Sequence, residues 1–282
     1  PAAVKQSKRE AREAQRARMV TTHDLGLGGL TDEESNGPDF TPLAEGENFD
    51  SIRTAVDTMR KGETSVSDVF GIRYKVKSGR DAGKTANYTK EGEDARAHQY
   101  AAKNVIQLAK RAGVAVRQDN YKPNSPNKTY VRLFAPYFFE NRLYIAVIAQ
   151  YEADVNGVHA VEALDVIRAD VNPEVISRDP LAGLAPTGTQ SALDTISIPQ
   201  KGLTVNELSL ESIQRVIDNP KKGGNQHPRL LDPDGNGGLT ETPCTAQDVA
   251  GRILTDIDAF VRRAKTIAKH RMEPGQELGT YT

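Results

Sequence analysis

The most apolar stretch of the chain, Leu143–Tyr151, is answered by a second apolar run, Val158–Ile167, across Asp154-Val155-Asn156-Gly157. Asparagine followed by glycine tolerates positive φ at both central turn positions, so this pairing predicts a β-hairpin. A hairpin so apolar has to be covered, and it forms the core of a sheet.

The segments before it supply candidate neighbours. In Phe70-Gly71-Ile72-Arg73-Tyr74-Lys75-Val76-Lys77 apolar and basic residues alternate. A strand there turns Phe70, Ile72, Tyr74 and Val76 inward and presents Arg73, Lys75 and Lys77 as one basic row. Residues 93–112 read as a helix with an apolar stripe of Ala97, Ala101, Val105, Leu108 and Ala112. Arg96, Lys103 and Lys110 recur on another face, and Gly113 reads as the helix stop. Two further strands follow, Val114–Gln118 and Lys128–Phe134, with Pro123 and Pro126 confined to the turn between them.

Beyond the hairpin, residues 171–203 are rich in Pro, Gly, Ser and Thr and read as an irregular connector. A helix is expected from Thr204, whose spacing to Glu207 fits a capping box, with Leu208, Ile213, Val216 and Ile217 on its apolar face. The last helix is expected from Thr245 to Arg271. Its stripe is Val249, Ile253, Ile257, Phe260, Ala264 and Ile267. Arg262, Arg263, Lys265, Lys269 and Arg271 crowd its end, where cations complement the helix dipole.

These elements predict an α+β protein: a small mixed or antiparallel sheet with one packed helix, followed by a helical C-terminal part. Residues 1–59 form a basic arm and acidic linker, 60–170 a basic α+β module, 171–203 the connector and 204–282 the helical part.

Charge separates these regions more sharply than composition does. The net formal charge is −1, yet residues 60–132 hold sixteen Lys/Arg against seven Asp/Glu. Residues 1–18 hold six basic and two acidic residues, whereas residues 19–59 hold one basic and nine acidic. The first segment aligns Lys5, Lys8, Arg9, Arg12 and Arg16 along one side of a helix, as a basic arm does. The second has linker composition, with a fold-back onto the basic block as the alternative. A mean hydropathy of −0.56 and an apolar share of 37% leave much of the chain for loops and partner-facing surface.

Motif by motif, chemistry finds little support. Gly79-Arg80-Asp81-Ala82-Gly83-Lys84-Thr85 has three residues between its glycines, one short of a phosphate-binding loop. Asp232, Asp234 and Asn236, with Gly237 and Leu239, match the start of an EF-hand calcium loop, but Pro243 stands where its last carboxylate belongs. That stretch reads more simply as a tight turn joining two helices, with calcium as the only cofactor suggested. The five histidines are scattered, and Cys244 is the single cysteine, so no zinc site, disulfide or nucleophile–base pair is indicated. No catalytic set stands out, which argues against an enzyme.

The charge pattern points instead to binding. Tyr74, Tyr88, Tyr100, Tyr121 and Tyr130 are interleaved with the cations, as in surfaces that neutralise phosphates and stack on bases. The expected function is non-enzymatic binding of nucleic acid, or another polyanion, through its phosphate backbone. Arg73, Lys75, Lys77, Arg80 and Lys84 are the expected contacts, with Lys103, Lys110 and Arg111 as a second row. The alternative is a structural subunit of a viral or phage particle, whose charged arms and connectors contact copies of itself or other subunits. No run reaches the ~18 apolar residues of a membrane span, and the N-terminal residues lack a signal-peptide core. The expected location is the cytoplasm, or the virion under the alternative.

Overall fold

The computed structural model describes residues 19–27, 30–48, 51, 54, 65–76, 93–120, 128–152, 158–169, 210–217 and 227–271. In chain order the elements are α1 (Asp32–Asn36), β1 (Ser65–Val66), β2 (Arg73–Val76), α2 (Glu93–Lys103), α3 (Val105–Arg111) and β3 (Val114–Asn120). Then come β4 (Lys128–Phe139), β5 (Arg142–Glu152), β6 (His159–Arg168), α4 (Leu210–Ile217), β7 (Arg229–Pro233), β8 (Leu239–Pro243) and α5 (Ala246–Arg271).

The eight strands form one strongly curled sheet in the order β1-β2-β6-β5-β4-β3-β7-β8. Every neighbouring pair is antiparallel except β2 and β6, which run parallel. Side chains alternate across it as a pleat requires. Along β4, Leu133, Ala135, Tyr137 and Phe139 join one core, while Phe134 and Phe138 join the other. Along β5, Tyr144, Ala146 and Ile148 alternate likewise with Leu143, Ile145 and Val147. Ala97, Tyr100, Ala101 and Leu108 of α2 and α3 cover the first face. Ile213 and Ile217 of α4, with Val249, Ile253, Ile257 and Phe260 of α5, cover the second. A strand buried on both faces reads as an unbroken apolar run, which is why Leu143–Tyr151 stood out.

The apolar hairpin is present as β5 and β6, with a bulge between Ala149 and Gln150. The small sheet with one packed helix is not. The sheet is larger, and the C-terminal part is not helical: β7 and β8 extend the same sheet, and a single long helix follows them. The turn from Asp234 to Gly238 closes a hairpin and does not join two helices. Asp234 Oδ1 accepts from the Asn236 and Gly238 amides at 2.7 and 2.8 Å, and Gly235 and Gly237 take φ of 78° and 86°. Only Leu230 and Leu231 of β7 are buried. Pairing with β3 (Val116 opposite Leu230), not an apolar period of its own, makes β7 a strand.

The helix expected over 93–112 is interrupted at Asn104. Its Oδ1 accepts from the Thr41 amide at 2.7 Å, and its Nδ2 donates to the Thr41 and Tyr100 carbonyls at 3.0 and 2.9 Å. Asn104 thereby pairs with the backbone of the acidic segment. Residues 30–48, read as linker, are docked on the sheet and helices. Thr31 and Glu34 form a capping box for α1. Asp32 accepts from the Glu140 and Asn141 amides at 2.6 and 3.1 Å, bracing a β4–β5 turn whose two residues have φ of 49° and 60°. Asn36 is buried, donating to Tyr100 Oη and the Phe138 carbonyl and accepting from the Phe138 amide. These single polar residues, invisible to hydrophobic periodicity, hold the segment in place.

Thr245 and Asp248 cap α5 as expected, each accepting from the other's backbone N–H. The basic arm over 1–18, the Gly79–Thr85 loop and the capping residues Thr204 and Glu207 lie outside the described residues.

Candidate functional site

The two helical layers meet where α3 ends and β3 begins. There, residues 35–40, α3 and the second half of α5 enclose a cleft of about 240 Å³. Arg111, the last residue of α3, lines it and is held from several directions. Its Nη1 donates to the Asn36 carbonyl at 2.7 Å, and its Nη2 donates to the Pro136 carbonyl. Its guanidinium carbon lies 4.4 Å from the Phe40 ring centroid and 4.7 Å from that of Phe260. A cation held between two ring faces is attracted by both quadrupoles.

The rings extend this contact in each direction. Phe40 stacks on Tyr100 at 6.2 Å, Tyr100 on Tyr137 at 6.0 Å and Tyr137 on Tyr144 at 5.6 Å. On the other side Phe260 stacks on Phe138 at 5.3 Å. Phe40 and the tyrosines belong to the first core, Phe138 and Phe260 to the second. Arg111 joins the two.

Asp256 of α5 is the carboxylate whose charge favours that of Arg111, without a direct ion pair. A Cβ at Gly113 would overlap the Asp256 carboxylate, so a larger residue here has to displace that side chain. The expected helix stop at this residue is corrected: α3 ends at Arg111 with an extended Ala112, and Gly113 makes room for a side chain. Burial raises the Asp256 carboxyl to about 6, against the opposing pull of Arg111, Arg263 and the Gly113 amide. Burial, reinforced by Arg263, lowers the Arg111 guanidinium to about 9.

A carboxyl whose folded pKa lies above its unfolded value holds its proton more tightly in the fold. Its contribution therefore becomes more favourable as pH falls through about 6 and levels off near the unfolded value of 3.8. Between pH 7.5 and 5, wild type is expected to gain about 1.4 kcal/mol relative to Asp256→Asn, one pKa unit of linkage. Urea unfolding of both proteins at the two pH values measures this. A constant difference between them would contradict titration of Asp256 in that window.

The expected contact residues are dispersed. Arg73 is exposed and Lys75 half-buried on β2, while Lys77, Arg80 and Lys84 lie outside the described residues. Tyr74, between Arg73 and Lys75, points at α3 and donates to the Ile106 carbonyl at 2.8 Å. Arg73 and Lys75 therefore project to the opposite face from α3, and strand row and helix row are not one surface. Lys103 donates to the Pro42 carbonyl at 2.8 Å and pairs with Glu47 at 2.9 Å. Of the second row, only Lys110 is exposed. Tyr74, Tyr100 and Tyr130 are buried in the core.

Asp232 pairs with Arg252 at 3.0 Å, and Asp234 serves its own turn, with Asn236 supplying one of the amides it accepts from. Among the described residues no three His, Cys, Asp or Glu side chains gather as a metal site requires.

Sequence reasoning missed Arg263, which is exposed beside the cleft and faces the same opening as Lys110. Its signal was the basic crowding of α5, assigned there to the helix dipole. Among the described residues no helix is long and apolar enough to cross a membrane. Compared with known proteins, the sequence matches no family model, no curated protein and no solved structure.

Proposed function

We propose that the protein binds nucleic acid, in the cytoplasm, through phosphate contacts at the mouth of the cleft between α3 and α5. One observation carries this reading. Lys110 from α3 and Arg263 from α5 line one opening and both are exposed; among the described residues Lys110 forms no ion pair, and Arg263 acts on the Asp256 carboxylate without pairing with it. Two cations set on separate helices can hold successive phosphates of a backbone. Burial of Tyr74, Tyr100 and Tyr130 leaves phosphate contact as the dominant contribution from the described residues. Assembly into a particle through charged arms and connectors rests on residues 1–18 and 171–203, which lie outside the described residues, and the described edge strand β8 adds nothing to it. Edge strand β8 carries Pro243, and its Glu241 is paired with Arg117 and Arg229, features that discourage edge-to-edge pairing.

Titration against DNA and RNA at rising salt is the test. The Lys110→Gln/Arg263→Gln double variant is expected to reduce the slope of log Kobs against log salt by about 2, near one per lost phosphate contact. Arg73→Gln, on the other face of the sheet, serves as the comparison. Absence of wild-type binding at low salt, or an unchanged slope in the double variant, would overturn the proposal.

A further inference from the structure

The cleft is lined by groups of both signs. Lys110 and Arg263 stand at its mouth, while Asp39 and Asp68 line it without forming ion pairs among the described residues. Ser35 also lines the cleft; it is only 2% exposed, and its Oγ has no hydrogen-bond partner among the described residues. Gln107 Oε1 is buried in the same condition. Buried polar atoms without partners are uncommon and call for a reason.

A ligand that was purely anionic would face two carboxylates, and one offering only donors would face two cations. The lining fits a molecule that carries an anionic group together with hydroxyl or amino donors. We propose that the cleft binds a single nucleoside monophosphate unit, either free or at the phosphorylated end of a strand. A terminal phosphate, doubly charged, takes both Lys110 and Arg263, where two successive internal phosphates of a strand would take one each. Sugar hydroxyls and base amino groups donate to Asp39 and Asp68, and to Gln107 Oε1 once that side chain turns toward the opening. Ser35 reaches the phosphate after rotation about χ1, since a hydroxyl both donates and accepts.

A cleft of about 240 Å³ is smaller than sites that enclose drug-sized ligands, about 300–1,000 Å³, so the phosphate and sugar of one unit enter it and the base stays at the opening. The rings of the cleft already stack on Arg111 and on their aromatic neighbours, so the base lies along ring edges and the polar groups set the specificity.

The strand-end form rests on the nucleic-acid reading above; the free form does not. Calorimetric titration of the full chain separates them, using inorganic phosphate, adenosine monophosphate, and a short oligonucleotide with and without a terminal phosphate. Adenosine monophosphate is expected to bind about 10-fold more tightly than inorganic phosphate, and the terminal phosphate to strengthen strand binding about 5-fold. Ser35→Ala is expected to weaken adenosine monophosphate about 5-fold while leaving the melting temperature unchanged, because its Oγ bonds to nothing among the described residues.

If adenosine monophosphate binds no better than inorganic phosphate, the site is overturned. Strands that bind equally with and without the terminal phosphate, while adenosine monophosphate is silent, overturn the site and leave the nucleic-acid reading standing. Adenosine monophosphate binding without any strand binding supports the site and overturns that reading.

Discussion

Replacing Arg111 with alanine is expected to lower stability by about 3–5 kcal/mol, from the loss of two hydrogen bonds with a charged donor together with its contacts to two rings. The change strips two backbone carbonyls of their donor and removes the cation that most favours the charged Asp256 carboxylate. It also opens a gap between the Phe40 and Phe260 rings. At about 2–4 °C per kcal/mol for a domain of this size, the melting temperature should fall by roughly 10 °C. Arg111→Met keeps the stem between the rings and should recover part of the loss. Urea unfolding followed by tyrosine near-UV circular dichroism reads both stability and the integrity of the stack. A loss under about 1 kcal/mol would mean that the two cores do not depend on this junction.

Gly113→Ala is expected to lose about 2–3 kcal/mol, because the added methyl displaces the Asp256 carboxylate from its place beside α3. The cause can be isolated by a double-mutant cycle. With Asp256→Ala as background the obstruction is gone, and the two changes should show a coupling of about 1.5–3 kcal/mol. Equal losses in both backgrounds would show that the glycine serves the backbone conformation instead. The two substitutions probe one junction from opposite sides, since Arg111 and Gly113 flank the single extended residue Ala112.

How much of this was legible in the chain depended on whether an element announced itself by repetition. The β5–β6 hairpin has two long apolar runs. Helix α5 has a stripe sustained over many turns and a Thr245–Asp248 cap, so both were read correctly. Strand β7 has only Leu230 and Leu231 to show, and its strand character comes from pairing with β3. Pattern alone gives no handle on that. The docking of residues 30–48 depends on Asn36, Phe40 and Thr41, single residues scattered through an acidic segment. The cations presented the opposite difficulty. In sequence, Lys103, Lys110 and Arg111 look alike. In the fold one is paired with Glu47, one is exposed and one is enclosed between rings. Arg111 and Arg263 are far apart in sequence, so the site they share could not be read from local spacing.

The covering of both faces of the central strands has a consequence for recognition. Many small nucleic-acid-binding modules lay bases flat across an open sheet, whose aromatic rings sort one base from another. Here α2 and α3 occupy one face of the central strands and α4 and α5 the other, so those strands offer no open platform. A strand gripped at the mouth of the cleft would be held chiefly by its charge. Such a grip discriminates weakly between sequences and loosens steeply as ionic strength rises.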